Sequence, residues 1–142
     1  MPIFLAQTDT TVGFLSQSAD RLYEAKGRNQ GKPFLKVFCE LRTLQTQIRI
    51  PKAHKRRVRY ARKSTFIVKN QAFRYVTDPE HAAMIRPFDW LYSTSANESG
   101  GSFDPQFCSE RADRIIEDAR GMCEQSPSKI YRLGRNRVVR LR

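Results

Sequence analysis

Residues 90–102 read WLYSTSANESGGS. The first half, WLYST, is apolar, aromatic and hydroxyl-bearing, and it reads as a strand. The second half is small and polar: residues 93–101 hold four Ser or Thr, one Asn and two Gly. A loop of this make-up, anchored by a strand, points hydroxyls and backbone N–H groups at an anion. The same composition also suits a plain flexible loop.

Outward from this stretch, elements alternate. DPEHAAMIRPF (78–88) opens with Asp78 as a helix cap and Pro79 in the first turn, and Pro87 stops it. Asp104-Pro105 repeats that start. RADRIIEDAR (111–120) fits helix or strand. SPSKIYRLG (126–134) and RNRVVRLR (135–142) are short extended pieces. STFIVK (64–69) and AFRYVT (72–77) read as neighbouring strands across a polar NQ. KPFLKVFC (32–39) is a strand, followed by a helical turn or two at 40–47. SADRLYEAKG (18–27) is a helix with Ser18 as its N-cap and Gly27 as its C-cap. PIFLAQ (2–7) is a strand running into the turn TDTTVG (8–13). Interleaved strands and helices predict an α/β (α+β) class with a mixed sheet. No repeat, linker or biased tract marks a boundary, so residues 1–142 read as a single domain.

The chain has 142 residues, 39% of them hydrophobic, which is enough to build a core. No apolar run reaches the roughly 18 residues of a membrane span. MPIFLAQTDTT has no basic region or cleavage site of a signal peptide. Cys39, Cys108 and Cys123 form no CxxC pair, and His54 and His81 do not cluster with them, so a structural zinc site is excluded. Free thiols in a reducing, cytoplasmic setting follow, with Cys39 expected in the core. The net charge is +12, which points to a polyanionic partner. KAHKRRVRYARK (52–63) concentrates that charge in Lys52, Lys55, Arg56, Arg57, Arg59, Arg62 and Lys63. It reads as a surface helix whose thin apolar face is Val58, Tyr60 and Ala61. With the tail 132–142 it brings 12 Lys or Arg to bear on RNA phosphates.

Two more loops carry polar chemistry. QTDTTVG (7–13) follows a strand and suits a small polar ligand or an ordinary Asx/ST turn. AKGRNQGKP (25–33) sets Lys26, Arg28 and Lys32 around two glycines. It can neutralise phosphate at close backbone approach, or simply carry solvated cations after a helix. It is not a Walker A loop.

The order of these strings is more specific than any one of them. T-D-T-x-x-G, then K-G-R-x-x-x-K-P, then S-T-S-A-N-x-S-G, then S-P-S-K-I resembles the YrdC-like family, the threonylcarbamoyl-AMP synthases, over nearly the whole chain. STSANESG is the most specific piece. The resemblance implies a twisted mixed sheet flanked by helices around a basic concave cavity, and it implies a helix at 105–112 followed by a short strand at 114–118. It also implies a reaction: L-threonine, bicarbonate and ATP give threonylcarbamoyl-adenylate and pyrophosphate. A partner complex then transfers the threonylcarbamoyl group to tRNA. ATP brings Mg²⁺, for which no dedicated protein ligand is expected.

Carried over by position, Lys26 and Arg28 match the family's pair on nucleotide phosphates, and Ser95 and Asn97 match its S-x-N pair beside the nucleotide. These four are the expected catalytic set. Arg140 and Asn70 are further implied ATP contacts. Thr8, Arg74 and Ser128 match the positions that hold the substrate threonine. Departures are also visible. Gln7 replaces a proline, the stretch from Thr8 to Lys26 is short, YARKST stands for a longer W-P-G-P-L-T segment, and Arg74 is followed by Tyr-Val. The chain reads as a trimmed member, with no added C-terminal domain. The alternative is a non-catalytic relative that binds double-stranded RNA or tRNA through its basic segments.

Overall fold

The structure is a computed structural model, and it describes residues 1–27, 33–98, 100–118 and 120–142. In chain order the elements are β1 (Phe4–Gln7), β2 (Val12–Ser16), α1 (Ala19–Lys26), β3 (Leu35–Phe38), α2 (Leu41–Gln47), α3 (Lys55–Tyr60), β4 (Ser64–Val68) and β5 (Gln71–Tyr75). Then come α4 (Pro79–Ile85), β6 (Trp90–Ser95), α5 (Pro105–Arg111), β7 (Arg114–Ile116), β8 (Lys129–Leu133) and β9 (Val138–Arg140). They form two compact units, each assembled from two stretches of chain. Unit 1 is Met1–Phe34 with Leu91–Ser126, and unit 2 is Leu35–Trp90 with Pro127–Arg142.

Unit 1 orders its strands β7-β1-β2-β6. β1 and β2 form a hairpin, with Phe4 opposite Leu15 and Gln7 opposite Val12, and β7 joins β1 in parallel. The sequence reading ended its strand at Gln7 and missed β2. All five β2 residues are buried, so the alternation that betrays a half-exposed strand is absent. Ile3, Leu5, Val12, Phe14, Leu22, Phe34 and Cys108 are among the core. α1 forms as its caps require. The Ser18 side chain accepts from the Arg21 N–H, and Gly27 adopts a left-handed φ of 61° with its N–H on the Glu24 and Tyr23 carbonyls.

Gly13 marks the closest approach in this sheet. A Cβ there would lie 3.1 Å from both Thr8 Cγ2 and the Thr94 carbonyl oxygen. The carbonyl belongs to β6, directly beside β2, so it yields only if the ladder opens. Gly13→Ala is therefore expected to destabilise the protein by about 1–3 kcal/mol through overpacking. Thermal unfolding checks this, and a midpoint at or above the parent's would show that the two strands can spread freely.

Unit 2 orders its strands β3-β5-β4-β8-β9. β3 and β5 are parallel, β5 and β4 antiparallel, β4 and β8 parallel, and β8 and β9 antiparallel. The expected neighbours β4 and β5 are joined by Lys69 and Asn70 alone, at φ 48° and 65°. Two left-handed residues between antiparallel strands make the type I′ turn that matches strand twist. Phe38, Leu44, Ile48, Val58, Phe66, Phe73 and Leu133 are among the core. Cys39 is only half-buried, whereas Cys108 of unit 1 is the fully buried thiol.

The basic segment differs from the single helix expected over 52–63. Lys52–His54 is a 3-10 turn, α3 spans only Lys55–Tyr60, and Ala61 is already extended. Val58 and His54 face inward, while Tyr60 is 66% exposed. One buried valine anchors barely more than a turn, and a short helix has little stability beyond its packing. Arg62 and Lys63 therefore leave the helix, Lys63 with φ 51°.

Candidate functional site

Lys26 ends α1, and it is only 3% exposed. The α1 face that buries Leu22 and Ala25 turns it inward. Its ammonium donates to the Ser95 carbonyl at 2.8 Å and to Asn97 Oδ1 at 2.6 Å. Ser95 Oγ donates to the same Oδ1 at 2.9 Å, and Asn97 Nδ2 donates to the Gly101 carbonyl at 2.6 Å. The loop is also held from below, because the Ala96 N–H reaches the Val12 carbonyl at 2.9 Å. Three of the four expected catalytic residues, Lys26, Ser95 and Asn97, thus form one hydrogen-bonded cluster in unit 1. Arg28 lies outside the described residues. A cation fixed among hydroxyl and amide donors is a preorganised setting for an oxyanion.

Thr8 sits in the β1–β2 turn of the same unit, and its hydroxyl donates to the Thr11 carbonyl and meets Thr10 Oγ1 at 3.2 Å. Gln7, where the family pattern has proline, is not idle. Its Oε1 accepts the Cys123 N–H at 2.9 Å, and its carbonyl accepts from Arg120 at 3.4 Å. The Gln125 N–H donates to Thr11 Oγ1 at 3.1 Å. These bonds lay residues 120–125 along the turn. Arg120 is itself paired with Asp118 at 2.8 Å, and its hydrogen bond holds the Asp118 carboxyl below the usual range.

In unit 2, Arg74 stands on β5 between β3 and β4, and it is 4% exposed. Its neighbour Phe73 faces the apolar core, so strand alternation places Arg74 on the opposite face. Ser128 immediately precedes β8. Its hydroxyl lies 2.7 Å from Thr65 Oγ1, and Arg142 Nε donates to its carbonyl at 2.9 Å. Thr65 and Arg142 were not singled out from the sequence. Thr65 meets Ser128 because β4 and β8 pair in parallel, Ser64 opposite Lys129, and Arg142 does so because β9 pairs antiparallel with β8. Asn70 occupies the exposed type I′ turn. Arg140 lies exposed on β9 and donates to the Arg142 carbonyl at 3.4 Å. Among the described residues no three His, Cys, Asp or Glu side chains are grouped to hold a metal. Burial, chiefly, pushes the Cys108 thiol up, and nearby Lys26 and Arg111 oppose the shift. That thiol is therefore part of the core, not a nucleophile.

No sequence-family model and no curated protein matches the chain. Solved structures do. P. abyssi Sua5 complexed with L-threonine superposes with a TM-score of 0.80 at 17% identity, over 99% of this chain and 50% of that one. E. coli YciO gives a TM-score of 0.78 at 19% identity, over 99% and 82%. Full-length HypF in a phosphate- and nucleotide-bound form gives 0.77 at 14% identity, over 99% and 26%. The chain thus spans about half the length of Sua5. It carries no helix long and apolar enough to cross a membrane among its described residues. With near-complete coverage by each of these neighbours, the chain has the YrdC-like fold of Sua5 and YciO.

Proposed function

We propose that the protein is a threonylcarbamoyl-AMP synthase, acting in the cytoplasm on L-threonine, bicarbonate and ATP. The observation that carries this reading is the cluster of Lys26, Ser95 and Asn97, where a buried ammonium is held by neutral oxygens on an anchored loop. Phosphate oxygens are stronger acceptors for that ammonium than a carbonyl or an amide. Support comes also from the likeness to Sua5, a protein solved with L-threonine bound.

The chemistry asks for positioning more than for a strong base. The threonine amine adds to CO₂ derived from bicarbonate and loses a proton, giving a carbamate. A carbamate oxygen attacks the α-phosphorus of ATP, the bond to the β-phosphate oxygen breaks, and pyrophosphate leaves. Charge on the phosphates is met by Lys26 and Arg28, with Ser95 and Asn97 as neutral donors and Mg²⁺ arriving with the nucleotide. In unit 2, Arg74 holds the threonine carboxylate and Ser128 a further part of that substrate. A transferase complex then passes the threonylcarbamoyl group to tRNA. Pyrophosphate release that requires both threonine and bicarbonate, with the adenylate identified by mass, is the expected result. Release no greater than in a protein-free blank would refute the assignment.

A further inference from the structure

Three polar residues of unit 2 are buried outside its apolar cluster: Thr65 is 2% exposed, Arg74 4% and Ser128 6%. Phe66 and Phe73 stand opposite each other on β4 and β5 and turn into the core. One step along the same ladder Thr65 comes opposite Arg74. Cross-strand partners share a face, so Thr65 and Arg74 both point away from that core. Buried polar groups need hydrogen-bond partners, and how these are shared fixes what each group can still offer.

A hydroxyl carries one donor hydrogen and two acceptor lone pairs. Thr65 Oγ1 and Ser128 Oγ are 2.7 Å apart, and by distance either could donate to the other. Satisfaction decides the direction. Among the described residues Ser128 is the only hydrogen-bond partner of the Thr65 side chain. If Ser128 donated, the buried Thr65 hydrogen would have no acceptor, which folded interiors avoid. Thr65 therefore donates and Ser128 accepts. The Arg142 guanidinium donates through Nε to the Ser128 carbonyl at 2.9 Å and through Nη2 to Ser128 Oγ at 3.4 Å. Arg142 is pinned for this by backbone bonds in both directions with Ile130, of 3.0 and 3.3 Å. Both lone pairs of Ser128 Oγ are then taken, and its hydrogen is what it has left to give.

We propose that Thr65 and Arg142 are positioning residues that make Ser128 an obligate donor to an oxygen of the amino-acid substrate. The inference rests on the reading above, in which Arg74 and Ser128 hold threonine. An ammonium has no lone pair to accept the Ser128 hydrogen, and the Arg142 guanidinium beside Ser128 repels it as well. The substrate therefore turns an oxygen toward Ser128 and its amino group elsewhere, where that group is free to react. Thr65 fixes the Ser128 hydroxyl, and Arg142 fixes both the hydroxyl and the carbonyl behind it.

The test combines calorimetric titration of the full chain with threonine and steady-state kinetics of threonine-dependent pyrophosphate release. Thr65→Val keeps the side-chain shape but removes the donor. It should raise the threonine Kd and KM about tenfold, while kcat at saturating threonine and the KM for ATP stay near the parent values. Thr65→Ser packs less well than valine but restores the hydroxyl, and it should restore threonine affinity. Arg142→Ala, at an exposed position, should also weaken threonine and spare ATP, and it carries the test if circular dichroism shows Thr65→Val unfolded. Threonine affinity unchanged in a folded Thr65→Val protein would overturn the inference. Equal losses in Thr65→Val and Thr65→Ser, or equal losses for threonine and ATP, would also overturn it, since both mark a merely structural role. A parent that binds threonine but releases no pyrophosphate would remove the synthase reading alone, because the titrations still report on Thr65. A parent that binds no threonine would remove both.

Discussion

Lys26→Ala is expected to slow threonine-dependent pyrophosphate release by roughly 10²-fold or more, since one preorganised donor to developing charge is worth about 2.7–4 kcal/mol. Its burial changes what else must follow. A surface lysine could be removed with little effect on stability. This one donates to the Ser95 carbonyl and Asn97 Oδ1, and its loss leaves both oxygens without that donor. A cost of about 1–3 kcal/mol in stability is expected alongside the catalytic loss. The two effects separate by comparison with Asn97→Ala, which removes one of the two acceptors of Lys26 and one neutral donor but keeps the cation. If Lys26 only fastens the loop, both variants lose activity equally. If it grips phosphate, Lys26→Ala is the slower enzyme and its requirement for ATP rises more. Pyrophosphate release at the parent rate in a folded Lys26→Ala protein would remove Lys26 from the site.

The second large effect belongs to Arg74. A guanidinium only 4% exposed on a strand with neighbours on both sides is costly to bury unless acceptors face it. Lysine keeps the charge but loses the fork that meets a carboxylate with two parallel bonds. Arg74→Lys should therefore raise the threonine requirement at least tenfold, about 1.4 kcal/mol. ATP binding measured without threonine should hardly move. A thermal midpoint taken in parallel reports any purely structural loss. If the variant instead weakens ATP and spares threonine, Arg74 serves the nucleotide and the threonine pocket lies elsewhere.

Local chemistry made much of this fold readable. Ser18 and Gly27, Asp78 with Pro79, and Asp104 with Pro105 each start or stop a helix through bonds made within a few residues, and the structure uses all of them. The strand at Arg114–Ile116 was ambiguous from its residues alone, and its three exposed positions explain why. β2 was hidden by complete burial. α3 was read too long because a run of cations carries no stop signal of its own. In the site, the family resemblance brings Lys26, Ser95 and Asn97 to one purpose, but nothing local in the sequence marks Lys26 as buried. A lysine is ordinarily exposed, and only the packing of α1 reveals otherwise. Thr65 and Arg142 gave no local signal: Thr65 meets Ser128 through pairing of the remote strands β4 and β8, and Arg142 through the return of β9 along β8.

That remote pairing also sets the order in which the chain can fold. Ser64 and Lys129 lie 65 positions apart, and Phe4 and Arg114 lie 110 apart. Both are parallel partners, with no tight hairpin to bring them together. Each unit is interrupted by the other in sequence, so neither unit has all its strands until late residues arrive from synthesis. Leu133 and Tyr131 close the apolar cluster of unit 2, and until they dock, Phe66 and Phe73 are left without part of their cover. Loop-closure entropy must be met before such contacts return anything, which places the protein among slow folders, on the order of milliseconds to seconds. The nascent chain therefore exposes the aromatic strand β4 for longer than a fold of local hairpins would, and it is there that a chaperone would find its grip.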